Sequence, residues 1–372
     1  MNMKQQRLTR LIHSVITMLC VVASPVAHAQ LTTEDGFALP QPGRQFTFPR
    51  DHGSHPEFRT EWWYITGHLD AKDGRRFGFQ VTFFRQANRQ PDGTVRQLHF
   101  AHAALLDAKT GKFIHQERLN REGWDASSSS TGLDVRNGNW TLKQETNTQR
   151  LQLNATVHAD ALLTLTLDPA KPLVIFGENG VSRKGVAQNA ASHYLTFPRL
   201  KVSGSVKQGA ETLEVAGDAW MDHEFSSSQL DDGQVGWDWA ALQFHDGTEM
   251  MVYRMRRADG STDAASKLVL IGKDSTQRAL KADAFSWKEI TTWQSPRSGA
   301  KYPIEVEVAI EQTAYRLRPL ARDQEQGGDI TGLPYWEGAC DILDAQGKIV
   351  GRAFLELAGY AGNLRKHLSG KQ

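Results

Sequence analysis

The chain has 372 residues, 40% of them hydrophobic, with ten tryptophans, sixteen phenylalanines and a net charge of +1. That length allows two domains of ordinary size and a sizeable core. The balanced charge gives no electrostatic case for nucleic acid or an anionic membrane surface as a partner.

The N-terminus reads as an address. Lys4, Arg7 and Arg10 form a basic start, an apolar run follows from Leu11 to Val22, and Ala27-His28-Ala29 supplies small residues where a signal peptidase cuts. A Sec-type signal over 1–29 is expected, with cleavage after Ala29 and a periplasmic or secreted product. The run is shorter than the roughly 20 residues of a membrane helix, so no transmembrane anchor is expected in the mature chain. Leu19 before Cys20 argues against a lipid anchor. Cleavage would leave Cys340 without a disulfide partner, as a small buried hydrophobe.

Residues 30–48 form a lead-in rich in Thr, Gly and Pro. A dense polar and aromatic stretch follows, from Asp51-His52 through His55-Pro56 to Glu61-Trp62-Trp63-Tyr64. From Glu61 to Leu69 the side chains alternate, with Glu61, Trp63, Ile65 and Leu69 on one face and Trp62, Tyr64, Thr66 and His68 on the other. That is a strand. Asp73-Gly74 supplies a turn, and Phe77 to Arg85 returns. Strands are expected again at Leu98–Leu106, Phe113–Arg118, Leu151–Val157 and Leu162–Leu167, with Asn137-Gly138 as a turn. Helical periodicity is missing. Antiparallel strands joined by short turns curl or close to hide their edges.

Prolines and glycines between 168 and 180 mark a seam, and the boundary between two halves is set at residue 200. The second half echoes the first. Asp222-His223 precedes Trp237-Asp238-Trp239, Asp246-Gly247 turns, and Met250 to Arg256 returns with Tyr253 on it. This reads as a diverged duplication of two barrel-like halves, 30–200 and 201–372. Residues 335–360 give a closing hairpin, and the tail from Ala361 is basic.

Glu61-Trp62-Trp63-Tyr64 with Gly67, the preceding Asp51-His52 and His55-Pro56, and Trp220-Met221-Asp222-His223-Glu224 resemble motifs of the AttH and carotenoid 1,2-hydratase family of lipocalin-like proteins. The resemblance runs over about 45–362. It implies an all-β fold of two consecutive lipocalin-like antiparallel barrels, with a ligand site near their junction. It also implies chemistry in which an acid protonates an isolated carbon–carbon double bond and water adds to the cation, with neither metal nor organic cofactor. Its Asp-His pair falls on Asp222 and His223. An exported chain departs from a pigment-pathway enzyme, which puts carotenoid in doubt as the substrate.

The candidate catalytic residues are therefore Asp222, His223, Glu61 and Tyr64. A carboxyl in an aromatic pocket holds its proton to higher pH, as a proton donor must. His52, His55, Trp62, Trp63, Trp220, Trp237, Trp239 and Tyr253 are candidates to line the ligand site. Neighbours on a strand point to opposite faces, so Asp222 and His223 need not share a site. Asp51, His52, His55, Glu61, Asp222, His223 and Glu224 offer enough ligand atoms for a divalent ion, but no metal-ligand spacing appears and none is assigned. Ser226-Ser227-Ser228 lacks the Gly-x-Ser-x-Gly frame of a serine hydrolase. The expected function is binding of an elongated, lipid- or polyene-like ligand between two barrels, with hydratase- or hydrolase-type acid–base chemistry. The alternative is a carrier working with an envelope ABC transporter.

Overall fold

The structure is a computed structural model that describes residues 31–228, 230–330 and 332–364. The expected signal segment, with Cys20, and residues 365–372 of the basic tail lie outside the described residues.

Among the described residues, twenty-three strands form two antiparallel sheets. The first contains β1 (Thr60–Ala71), β2 (Arg76–Arg89), β3 (Val95–Asp107), β4 (Lys112–Arg121), β5 (Ala126–Ser128), β6 (Asp134–Asn137), β7 (Trp140–Gln144), β8 (Leu151–Val157), β9 (Ala161–Pro169), β10 (Val174–Phe176), β11 (Ser182–Arg183), β12 (Ala191–Gln208) and β13 (Glu211–Ser228). The second contains β14 (Gln234–Phe244), β15 (Glu249–Arg257), β16 (Lys267–Ile271), β17 (Gln277–Lys281), β18 (Ser286–Gln294), β19 (Lys301–Ile310), β20 (Thr313–Pro319), β21 (Glu325–Gly327), β22 (Pro334–Leu343) and β23 (Ile349–Ala358). The first sheet curls into a nearly closed barrel and the second into a half-barrel.

The expected strands are present, and the Asp-Gly turns work as anticipated. Gly74 and Gly247 take φ of 86° and 87°, a region that costs glycine nothing. The open edges of the first barrel are stitched by side chains. Asn137 Nδ2 donates to the His99 carbonyl at 3.0 Å, and Asn120 Nδ2 donates to Asn137 Oδ1 at 2.7 Å.

The chain passes from one sheet to the other between Ser228 and Gln234. Position 200, set above as the boundary, lies inside β12. The Pro and Gly signals before it belong to connections around the short β10 and β11, both of which pair with β12. They mark loops, and the hairpin of β12 and β13 continues the first sheet.

Alternation on β1 gives each face its own core. Trp63, Ile65 and Leu69 fill the first barrel. Tyr64 joins Tyr194, Trp220, Trp239, Tyr253 and Phe354 in a separate core between the sheets. Leu242, Val252, Tyr302, Val306 and Trp336 fill the second half. Close approach of the sheets is set at Gly78, where a Cβ would overlap that of Ala339. Ion pairs from Arg76 to Asp341 at 2.7 Å and from Arg352 to Asp70 at 2.6 Å tie the same junction. The two halves also share a pairing: Glu61 on β1 lies opposite Arg85 on β2, as Asp238 on β14 lies opposite Arg254 on β15.

Candidate functional site

The candidate residues separate into two places, one on each face of the β1–β13 pair. The first is a buried ionic network in the barrel wall. His55 stands between two carboxylates, its Nε2 2.9 Å from Asp51 Oδ1 and its Nδ1 2.8 Å from Glu61 Oε1. His223 Nε2 lies 2.8 Å from the same Glu61 oxygen. Glu61 Oε2 accepts from the His55 backbone N–H at 2.8 Å, from Ser54 at 3.2 Å and from Arg85 Nε at 3.0 Å. Burial alone would raise the Glu61 pKa, but His223, His55 and Arg85 hold it well below the usual carboxylate range. The network clamps the 50–58 loop onto the sheet.

Trp63 and His52 belong to this wall. Trp63 stacks on His223 and donates its indole N–H to the His52 carbonyl at 3.0 Å. The His52 ring packs between Phe48 and Phe197, and burial lowers its pKa to about 4.

Ligand atoms of His55, Glu61 and His223 all lie within 4.8 Å of one another, the spacing a metal ion would need. The donor set does not suit one. Glu61 already serves five donors, and the Arg85 guanidinium occupies the place where a cation would be attracted.

The second place is a cavity of about 510 Å³ between the sheets. Trp62, Trp237, Trp239 and Tyr253 line it, with Tyr64 and Asp222. Trp220 stands behind the wall, its ring edge-on to Trp239. Register explains the arrangement. On the first sheet Thr82, Tyr64, Asp222 and Thr196 form one cross-strand row. On the second sheet Tyr253, Trp239, Glu356 and Glu337 form another. The Tyr64 hydroxyl spans the two rows and donates to Glu337.

Asp222 Oδ1 accepts from Thr196 at 2.6 Å and from Trp220 Nε1 at 2.7 Å, while Oδ2 accepts from the Tyr194 hydroxyl at 2.6 Å. Burial pushes the Asp222 carboxyl up to about 7, against the pull of these donors. Burial also raises Glu356 to about 7, against the Trp237 indole N–H that donates to it at 3.0 Å. Glu337 is raised well above the usual range by burial and then by facing Glu356. Its Oε2 is buried without a well-aligned hydrogen bond, and the Gln326 side chain beside it pulls its pKa the other way.

Of the proposed catalytic residues, Asp222, Tyr64 and Glu61 border the cavity, but the Glu61 carboxylate is engaged in the barrel wall, where it meets His223. Of the proposed lining residues, Trp62, Trp237, Trp239 and Tyr253 line the cavity, whereas His52, His55 and Trp63 belong to the wall network. Sequence reasoning missed Glu337 and Glu356. Their same-face neighbours two residues away are Tyr335, Ala339, Phe354 and Ala358, all apolar or aromatic. A glutamate on such a face is a buried one, and that signal was available.

Facing antiparallel sheets around an apolar cavity define a lipocalin-like architecture. The chain belongs to the AttH-like family, whose profile matches residues 39–360. An AttH protein of Nitrosomonas europaea is similar in structure, with a TM-score of 0.80 and 37% identity over 87% of this chain and 100% of that one. Kievitone hydratase of Nectria haematococca shares the fold, with a TM-score of 0.64 and 16% identity over 90% and 96% of the two chains. A ceramide-binding protein of Debaryomyces hansenii is 28% identical over 127 residues. That match spans 33% of this chain and 31% of the relative.

Proposed function

We propose that the protein is exported and acts on an elongated apolar ligand held between the sheets, by acid–base addition or removal of water. The observation that carries this reading is the set of Asp222, Glu337 and Glu356, buried carboxyls on facing walls of an aromatic cavity. Glu337, kept protonated, transfers its proton to one carbon of a double bond and becomes a carboxylate. The neighbouring carbon becomes a cation, stabilised by indole faces and by Asp222. Water adds to that cation, and its released proton goes to Glu356 directly across the strand pair. Return of one proton to Glu337 closes the cycle without metal or cofactor.

A carrier is the second reading, favoured by the ceramide-binding relative. In that reading the protein delivers its ligand in the envelope without chemistry, and an ABC transporter is a candidate recipient.

Native mass spectrometry of the protein from its own envelope, with organic extraction of the bound molecule, tests both. Wild type should convert the extracted ligand into a product differing by one water, and Glu337→Gln should bind it without conversion. A stoichiometric ligand that wild type leaves unchanged overturns the enzyme reading in favour of the carrier.

A further inference from the structure

The bases that line the cavity are already matched. Lys184 Nζ lies 3.0 Å from Glu224. Arg85 is held by Glu61 at 3.0 Å, and His102 stands beside Glu117 with its Nδ1 2.8 Å from the Tyr335 hydroxyl. Asp222, Glu337 and Glu356 have no basic partner among the described residues; the groups beside them are hydroxyls, indoles and, at Glu337, the Gln326 amide. The tyrosines facing them, Tyr64, Tyr194, Tyr253 and Tyr335, are all held neutral by burial. Glu337, 1% exposed, adds an Oε2 that makes no well-aligned hydrogen bond even with the Gln326 amide beside it.

Buried acids ordinarily occur with a counter-charge. Here the cavity supplies carboxyls from both walls, aromatic faces between them, and no positive charge of its own to spare. Indole and phenol rings attract a cation through their quadrupoles, most strongly where water is excluded. An anionic group would meet these acids at close range and gain nothing from Lys184, which Glu224 already neutralises.

We propose that the cavity recognises a positively charged group, and that its ligands include long-chain primary or quaternary ammonium compounds. The ammonium would sit between the walls that carry Asp222, Glu337 and Glu356, with its chain along Trp62 and Trp237. This inference rests on the reading of the cavity as an apolar-ligand site. It also suits the chemistry proposed above, because an alkylammonium resembles in charge the cation formed when a double bond is protonated. Such a compound would compete with turnover.

The test is calorimetric titration of the full mature protein with decylammonium, decanol and decanoate, all below their aggregation concentrations. Decylammonium should bind about ten-fold tighter than decanol or better, and decanoate weaker than both. Near neutral pH the amine should displace protons from the carboxyls, seen as a binding heat that changes with the ionisation enthalpy of the buffer. The triple variant Asp222→Asn, Glu337→Gln, Glu356→Gln should lose the preference for the amine and keep its affinity for decanol, which also reports that it is folded. Equal binding of amine and alcohol by wild type overturns the inference and leaves the apolar cavity standing. An amine preference that survives in the triple variant places the cation elsewhere and also overturns it. Failure of wild type to bind any of the three overturns the apolar-ligand reading itself, and this inference with it.

Discussion

Asp222 and His223 are neighbours in sequence and face opposite sides of β13. Asp222 looks into the cavity with Tyr194, Thr196 and Trp220 on its oxygens, while His223 sits in the barrel wall 2.8 Å from Glu61. Their replacement should therefore fail in different ways. His223→Ala removes a donor to a dry carboxylate and the ring stacked on Trp63, at a cost of about 2–4 kcal/mol. Asp222→Asn should change stability near neutral pH by about 1 kcal/mol or less, because loss of a buried charge offsets the weakened hydrogen bonds. Urea unfolding of both variants checks this. Equal losses would mean that the two residues belong to one site.

Glu61 is the node of the wall network, so its neutral isostere is informative. Glu61→Gln keeps the shape but leaves the Arg85 guanidinium buried against an amide. Breaking one member of a buried ion pair costs about 3–5 kcal/mol. The lowered midpoint should appear in denaturant unfolding, and the cavity's affinity for an apolar probe should survive in the folded fraction. A loss below about 1 kcal/mol would show that the network is solvated, contrary to its burial.

Much of this arrangement was legible in the sequence. Period-two alternation and Asp-Gly turns give the strands of the first sheet nearly to their ends, because each strand buries one face in its own barrel. The opposition of Glu61 and Tyr64 follows from the same period. What alternation does not give is what covers the other face. Trp62, Tyr64, Thr66 and His68 would meet solvent in a single barrel, and the second sheet buries them instead. Partners such as Tyr64 and Glu337, 273 residues apart, are set by packing between sheets, which leaves no local pattern. The boundary near residue 200 was misplaced for a related reason: loops around two short strands resemble a linker in composition.

The junction between sheets should be sensitive to a single methyl-sized change. Gly78 on β2 meets Ala339 on β22 so closely that an added Cβ needs the sheets to part. Gly78→Ala should destabilise by about 1–3 kcal/mol through overpacking, and should also weaken the two ion pairs beside it. The readout is thermal unfolding together with binding of an apolar fluorescent probe. A variant with wild-type stability would mean that the sheets slide apart freely. Ala339→Gly in the Gly78→Ala background should restore part of the loss, because it returns the missing space.

Stability against pH should carry the mark of the cavity acids. Burial raises Asp222 from 3.8 to about 7 and Glu356 from 4.5 to about 7. Between their ordinary values and about 7 the folded chain holds protons that the unfolded chain has lost, so these groups make stability fall as pH rises. Buried histidines, His223 among them, act in the opposite sense. His52, His68, His99 and His193 are lowered from 6.5 to about 4. Between those values the unfolded chain binds the extra protons, so stability rises with pH. The two slopes oppose each other in wild type. Asp222→Asn and Glu356→Gln take two of the three raised acids out of the falling slope and leave Glu337 against the histidines. The double variant should then gain on wild type by a few kcal/mol between about pH 5 and about pH 8, whatever its offset at either end. Urea unfolding of both proteins at the two pH values measures the change. A gap that stays constant with pH would mean that Asp222 and Glu356 titrate like solvent-exposed carboxyls, and that neither is fit to exchange a proton near neutrality.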